Sequence, residues 1–252
     1  SESDKSPQCL RPSQVGALRK MFAGPVNTAG RPLYFGWPWD PGIAEPGWRA
    51  WTLGTAQEGP SNARHITLMA GALGHEFVTP PDPSLNTLNF DFERDPARMQ
   101  AFHKVYDTAD DVQLEGFRKR NGKLLMVHGM ADPIFSAFES MDYIRRVQAA
   151  NAGADRFARL FLVPGMNHCA GGAATDDFDG LAAIVRWVEE GQAPERIEAR
   201  GSGGAFARCP RLQCAEDVEN RKGAAVLKLM RLRGRPEGTG RDRHVDVVFV
   251  GV

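Results

Sequence analysis

The stretch that most restricts what this chain can fold into lies between residues 123 and 190, where two short apolar runs alternate with two stretches of helical periodicity. Lys123-Leu124-Leu125-Met126-Val127-His128-Gly129 is a short apolar run ending in glycine, the pattern of a buried parallel strand. A helix is expected from about Ala137 to Ala149, with Met141, Ile144 and Val147 recurring at its period. Ala158-Arg159-Leu160-Phe161-Leu162-Val163 is a second buried run, stopped by Pro164-Gly165. A second helix is expected over about Asp177 to Glu190, with Leu181, Ile184, Val185 and Val188 as its apolar stripe. Strand, helix, strand, helix predicts an α/β fold with a parallel sheet and right-handed crossovers.

The preceding part reads differently. From Pro25 to about Asp95 it is punctuated by Pro and Gly, as in Gly36-Trp37-Pro38-Trp39-Asp40-Pro41-Gly42, which dictates turns rather than long elements. Four of the five tryptophans, Trp37, Trp39, Trp48 and Trp51, fall here. Before it, Gln14 to Phe22 predicts a short helix with Ser13 as N-cap and Val15, Leu18 and Phe22 on one face. After about Ala207, Glu216 to Leu232 is expected as a basic helix, Arg233 to Arg243 as a Gly/Arg loop, and Val245 to Val250 as a strand.

Charge removes several function classes. Lys and Arg number 31 and so do Asp and Glu, so no net field favours nucleic acid or an anionic membrane. No run approaches the roughly 18 apolar residues of a membrane span. Cys9, Cys169, Cys209 and Cys214 contain no C-x-x-C pair, which argues against a zinc site, and their pairing is open.

In open parallel sheets functional groups gather at the carboxyl ends of strands. The first apolar run ends in His128-Gly129-Met130-Ala131-Asp132-Pro133, and the second in Pro164-Gly165-Met166-Asn167-His168-Cys169. Asp132 and His168 are 36 residues apart, room for one crossover helix. An acid after one strand and a histidine after the next is the late part of an α/β-hydrolase triad. The chemistry needs both, because serine is a weak nucleophile until an imidazole takes its proton and a carboxylate fixes that imidazole.

These segments resemble the tannase and feruloyl esterase family. Gly122 to Ser136 is similar to its acid segment and Arg159 to Gly172 to its histidine segment, with His168-Cys169 the most diagnostic pair. Phe178-Asp179-Gly180-Leu181 through Ala193-Pro194 resembles the helix and turn that follow, and Asn89 to Pro96 resembles part of the inserted lid. The resemblance spans roughly residues 8 to 206. It implies the C-terminal part of an α/β-hydrolase sheet (108–206) joined to the latter part of a loop-rich lid domain (1–107), with a divergent tail at 207–252. It implies Asp132 as triad acid, His168 as general base, and Cys169 as a disulfide clamp to a cysteine just before the nucleophilic serine. That disulfide implies a secreted or periplasmic enzyme. The implied substrates are phenolic or aromatic carboxylic esters.

No Gly-x-Ser-x-Gly or Cys-Ser-x-Gly-Gly occurs in the chain. Gly201-Ser202-Gly203-Gly204 follows the histidine and reads as a loop; Ser136 and Ser140 sit after the acid, the wrong place for an elbow. The resemblance therefore implies that the nucleophile, the partner of Cys169 and a structural Ca2+ of the lid belong to an N-terminal half of the same enzyme, upstream of Ser1. This chain itself is expected to hold no cofactor. Three other readings stand beside this one. They are the catalytic tail of a different α/β-hydrolase, such as a peptidase or lipase; a binding module built on Trp37, Trp39, Trp48 and Trp51; and, more remotely, a metal site using His65, His75, His103 or His128, which show no H-E-x-x-H spacing.

Overall fold

The structure, a computed structural model, describes residues 10–106, 110–201 and 224–228. The expected regular half is present. Strand β1 (Leu124–Gly129) runs parallel to β2 (Ala158–Val163), Leu124 facing Ala158 and Gly129 facing Val163, so both end together. The helix Ala137–Ala150 makes the crossover and buries Ile144 and Val147 on the strands. Ser136 caps it, its hydroxyl accepting the Phe138 N–H at 3.1 Å.

Strand β2 is buried at every position. Arg159 is tolerated there because its Nη1 donates to the Pro194 carbonyl at 2.7 Å and its Nε to the Asp155 carbonyl at 3.1 Å. The Arg159 guanidinium and the Lys123 ammonium both lie over the Trp187 ring, at 5.6 and 5.9 Å from its centroid.

The second helix begins later than expected, at Gly180, and ends at Glu190. Asp179 is its N-cap, accepting the Ala182 N–H at 2.7 Å, and Asp177–Phe178 forms a short strand, β3. Its buried face also differs. Ala183 and Trp187 go inward with Ile184 beside them, whereas Leu181, Val185 and Val188 are exposed. One large indole outweighs a stripe of smaller aliphatics, and residues 183 and 187 lie one turn apart on the other side of the helix.

A second, antiparallel sheet was not expected: β3 pairs with β4 (Arg196–Arg200), and β4 with β5 (Ala224–Lys228). The expected basic helix over 216–232 is thus overturned at 224–228, where pairing along the open edge of β4 overrides a weak local helix preference. The expected loop at 233–243 and strand at 245–250 lie outside the described residues, as do Cys9, Cys209, Cys214 and Ser202.

The loop-rich segment is irregular as expected; between residues 25 and 95 its longest helix is Pro46–Thr52, of 7 residues. The first helix spans Pro12–Ala23 rather than 14–22. Ser13 lies inside it, since Pro12 takes the first helical position and the Gln14 side chain accepts the Arg11 N–H at 2.9 Å. Phe22 is buried, stacked 4.1 Å from Trp39 and 6.0 Å from Trp48. Trp48 is buried and Trp39 exposed, so the four tryptophans do not form a shared exposed platform.

Candidate active site

Because β1 and β2 are parallel and in register, the loops that leave them lie side by side. Asp132 sits three residues past the end of β1 and is buried, at 5% exposure. Its Oδ1 accepts the N–H groups of Ile134 and Phe135 at 2.7 and 3.0 Å, which fixes the carboxylate. Its Oδ2 lies 2.9 Å from Nδ1 of His168, five residues past the end of β2. The two residues singled out by strand-end position therefore meet.

A second histidine flanks the same carboxylate. His128 Nε2 donates to the Phe135 carbonyl at 3.0 Å and lies 3.5 Å from Asp132 Oδ2. Its Nδ1 faces the Ser140 hydroxyl at 3.0 Å, so the ring is held at both nitrogens. Burial pushes the His128 imidazole down from its ordinary value, against the opposing pull of Asp132. Held at both nitrogens, the His128 ring braces the acid loop beside Asp132.

The His168 loop is shaped by backbone that departs from ordinary strand or helix. Gly165 has φ +76° and Cys169 φ +63°, a left-handed conformation uncommon for a residue with a side chain. Met166 pairs back to Gly172, and the Asn167 N–H donates to the Gly171 carbonyl at 3.0 Å. Cys169 is exposed beside His168, and the partial loss of water around its sulfur, together with the nearby Asp132 charge, raises its thiol above the ordinary value.

Four further contributors come from the loop-rich segment or the acid loop; the sequence suggests Trp51 only for an aromatic platform and His65 only for a metal site, and gives Asp40 and Phe135 no role. Asp40 accepts the Gly165 N–H at 3.0 Å and thereby ties the first segment to the histidine loop. His65 Nε2 donates to the Pro133 carbonyl at 2.9 Å. The rings of Trp51 and Phe135 stand 6.3 and 5.7 Å from that of His168. Nothing periodic marks them; a cluster of Trp and Asp among turn residues was the available signal. Ser136 and Ser140 are both buried and engaged elsewhere, Ser136 with the Gly36 carbonyl and Ser140 with His128. Among the described residues no group of three or more His, Cys, Asp or Glu is arranged to hold a metal, and no helix is long and apolar enough to cross a membrane.

Comparison with known proteins extends this geometry. The family model for tannase and feruloyl esterase matches residues 1–215. A mono(2-hydroxyethyl) terephthalate hydrolase of Piscinibacter sakaiensis is 42% identical over 224 residues, covering 80% of this chain and 37% of that protein. Feruloyl esterase C of Talaromyces stipitatus is 34% identical over 174 residues, covering 58% of this chain and 31% of that protein. Crystalline feruloyl esterase B from Aspergillus oryzae superposes with a TM-score of 0.63 at 24% identity, over 81% of this chain and 42% of that one, a likeness of fold. The chain thus spans well under half the length of the relatives it matches. With residues 1–215 under one family model, the chain belongs to the tannase and feruloyl esterase family.

Proposed function

We propose that this chain carries the acid and the base of a serine carboxylic ester hydrolase that acts on phenolic or aromatic esters. One observation carries the reading: a buried, doubly anchored carboxylate lies 2.9 Å from Nδ1 of a histidine on the adjacent strand end. With Nδ1–H held by Asp132, Nε2 of His168 is the base. It takes the serine proton as the serine oxygen attacks the ester carbonyl, then returns it to the departing alcohol. Water repeats the transfer and releases the acid. The names of the relatives, a terephthalate monoester hydrolase and a feruloyl esterase, support an aromatic ester.

The nucleophilic serine is assigned to sequence outside these 252 residues, since the chain has no elbow motif and the serines near the acid are committed to other partners. Residues 1–107 are assigned to the lid and 108–206 to the catalytic domain. Cys169 is assigned to a disulfide with the cysteine preceding that serine, which places the enzyme in a secreted or periplasmic setting. No step here passes through a metal ion.

Hydrolysis of methyl ferulate tests the assignment. The chain alone should show no turnover above buffer. Joined to the nucleophile-bearing half of a family member it should turn over, with a fall of about 10⁴-fold on Asp132→Asn or His168→Ala. Turnover by the isolated chain, or rates that survive both substitutions, would refute it.

A further inference from the structure

Parallel pairing brings together the loops that enter β1 and β2 as well as those that leave them. Leu124 faces Ala158, so the segments 115–123 and 151–157 meet at the amino ends of the strands. Between them lies a cavity of about 590 Å³. A strand of 6 residues, roughly 20 Å long, separates it from the end that carries Asp132 and His168.

Four cations line the cavity, Arg118, Lys119, Lys123 and Arg156, against one carboxylate, Glu115. Lys119 and Glu115 pair with each other at 2.7 Å along the helix Glu115–Lys119. Among the described residues no carboxylate pairs with the other three cations, and the bonds they make go to neutral oxygens. Lys123 Nζ donates to Asn121 Oδ1 at 3.0 Å and to the Arg156 carbonyl at 3.2 Å. Arg118 Nη1 donates to Asn151 Oδ1, and its guanidinium stands over the Phe157 ring, 5.3 Å from the centroid. The Arg156 guanidinium lies against Gly153, where a Cβ would stand 2.5 Å from Nη2. Gly153 has φ +71°, so the turn that makes this room suits glycine alone.

These contacts place three positive groups without neutralising them. Like charges gathered in one concavity repel one another and focus the field there. An anion of two or more charges relieves that repulsion, whereas a monoanion balances one cation of the three. Guanidinium groups offer paired N–H donors that match the oxygens of a phosphate or a carboxylate, and the Lys123 ammonium adds a further point of attachment.

We propose that this cavity binds a small, multiply charged oxyanion through Arg118, Lys123 and Arg156. Phosphates and polycarboxylates share that chemistry. The site lies at the other end of the strands from Asp132 and His168, so the proposal stands apart from the ester hydrolase reading.

Calorimetric titration of the 252-residue chain with pyrophosphate, citrate and acetate, at about 0.15 M salt, tests it. Pyrophosphate or citrate should bind with a Kd below about 1 mM, and acetate at least about tenfold more weakly. The tighter of the first two tells a phosphate from a polycarboxylate. Arg156→Gln should weaken that binding about tenfold, the worth of a hydrogen bond to a charged group. Arg19→Gln, which removes the same charge from an exposed position on the helix Pro12–Ala23, should leave it unchanged. In the unsubstituted chain the tighter anion should shift the amide NMR signals of Gly122 and Gly153 and spare those of Asp132 and His168. This mapping localises the site even should Arg156→Gln not fold. No binding of either polyanion, affinities no better than that of acetate, equal losses in the two variants, or shifts confined to the His168 loop would each overturn it.

Discussion

The Asp40 carboxylate and the Gly165 backbone N–H, 125 residues apart in sequence, are joined at 3.0 Å. The same carboxylate accepts the Gly42 N–H at 2.8 Å and is buried. One side chain thus sets both the turn at Pro41–Ala44 and the position of the loop that carries His168. Burial raises the Asp40 carboxyl above its ordinary value against the pull of those two amides.

Removing that acceptor leaves two amides unpaired in a dry place. Asp40→Ala is expected to lower stability by about 1–3 kcal/mol. Asp40→Asn keeps an acceptor oxygen without burying a charge and should retain most of the stability. Urea unfolding of the two variants checks this, and equal losses would contradict the role given to the oxygen.

His128 predicts a pH dependence with a definite sign. Burial lowers its folded-state pKa below the ordinary 6.5, so the unfolded chain binds this proton more readily than the folded one. The His128 contribution is therefore fully present above that value and is lost as pH falls below it toward the folded pKa. Urea midpoints measured from about pH 7 to about pH 5 should fall less steeply for His128→Gln than for the parent chain. An unchanged slope would show that His128 binds its proton equally well in the folded and the unfolded chain.

Gly129 ends β1 against the histidine loop. A Cβ there would lie 2.2 Å from the Met166 carbonyl oxygen and 2.6 Å from that of Asn167, both backbone atoms that cannot turn aside. Gly129→Ala is expected to cost about 1–3 kcal/mol and to displace the segment bearing His168. A variant of unchanged stability would mean that the histidine loop gives way to the added methyl group.

Trp187 is 2% exposed and has the Arg159 and Lys123 cations over its ring. Trp187→Ala should cost about 3–5 kcal/mol, whereas a stability change below about 1 kcal/mol would show that the helix face is misassigned.

What the sequence made legible follows its periodicity. The runs 124–129 and 158–163 and the helix between them carry enough buried aliphatics to be read directly, and parallel pairing then brings Asp132 to His168. The stripe of the helix Gly180–Glu190 was misread because Leu181, Val185 and Val188 are as apolar as a core face, and only the tertiary partner of Trp187 shows which side turns inward. Asp40 reaches the site from a loop, and Trp51 and His65 from helices of 7 and 4 residues, too short for spacing to tell which way a side chain turns. Strand β4 alternates buried and exposed residues over only 5 positions, and its partners are a two-residue strand and a distant one.

In the proposed function, Asp132 holds the Nδ1 proton of His168 and so leaves Nε2 to act as base. Nitrogen NMR of the 252-residue chain, at a pH where the ring is neutral, reads this tautomer directly. Protonation at Nδ1 is expected in the parent chain, with its redistribution in Asp132→Asn. A proton resident on Nε2, or a tautomer indifferent to Asp132→Asn, would contradict it.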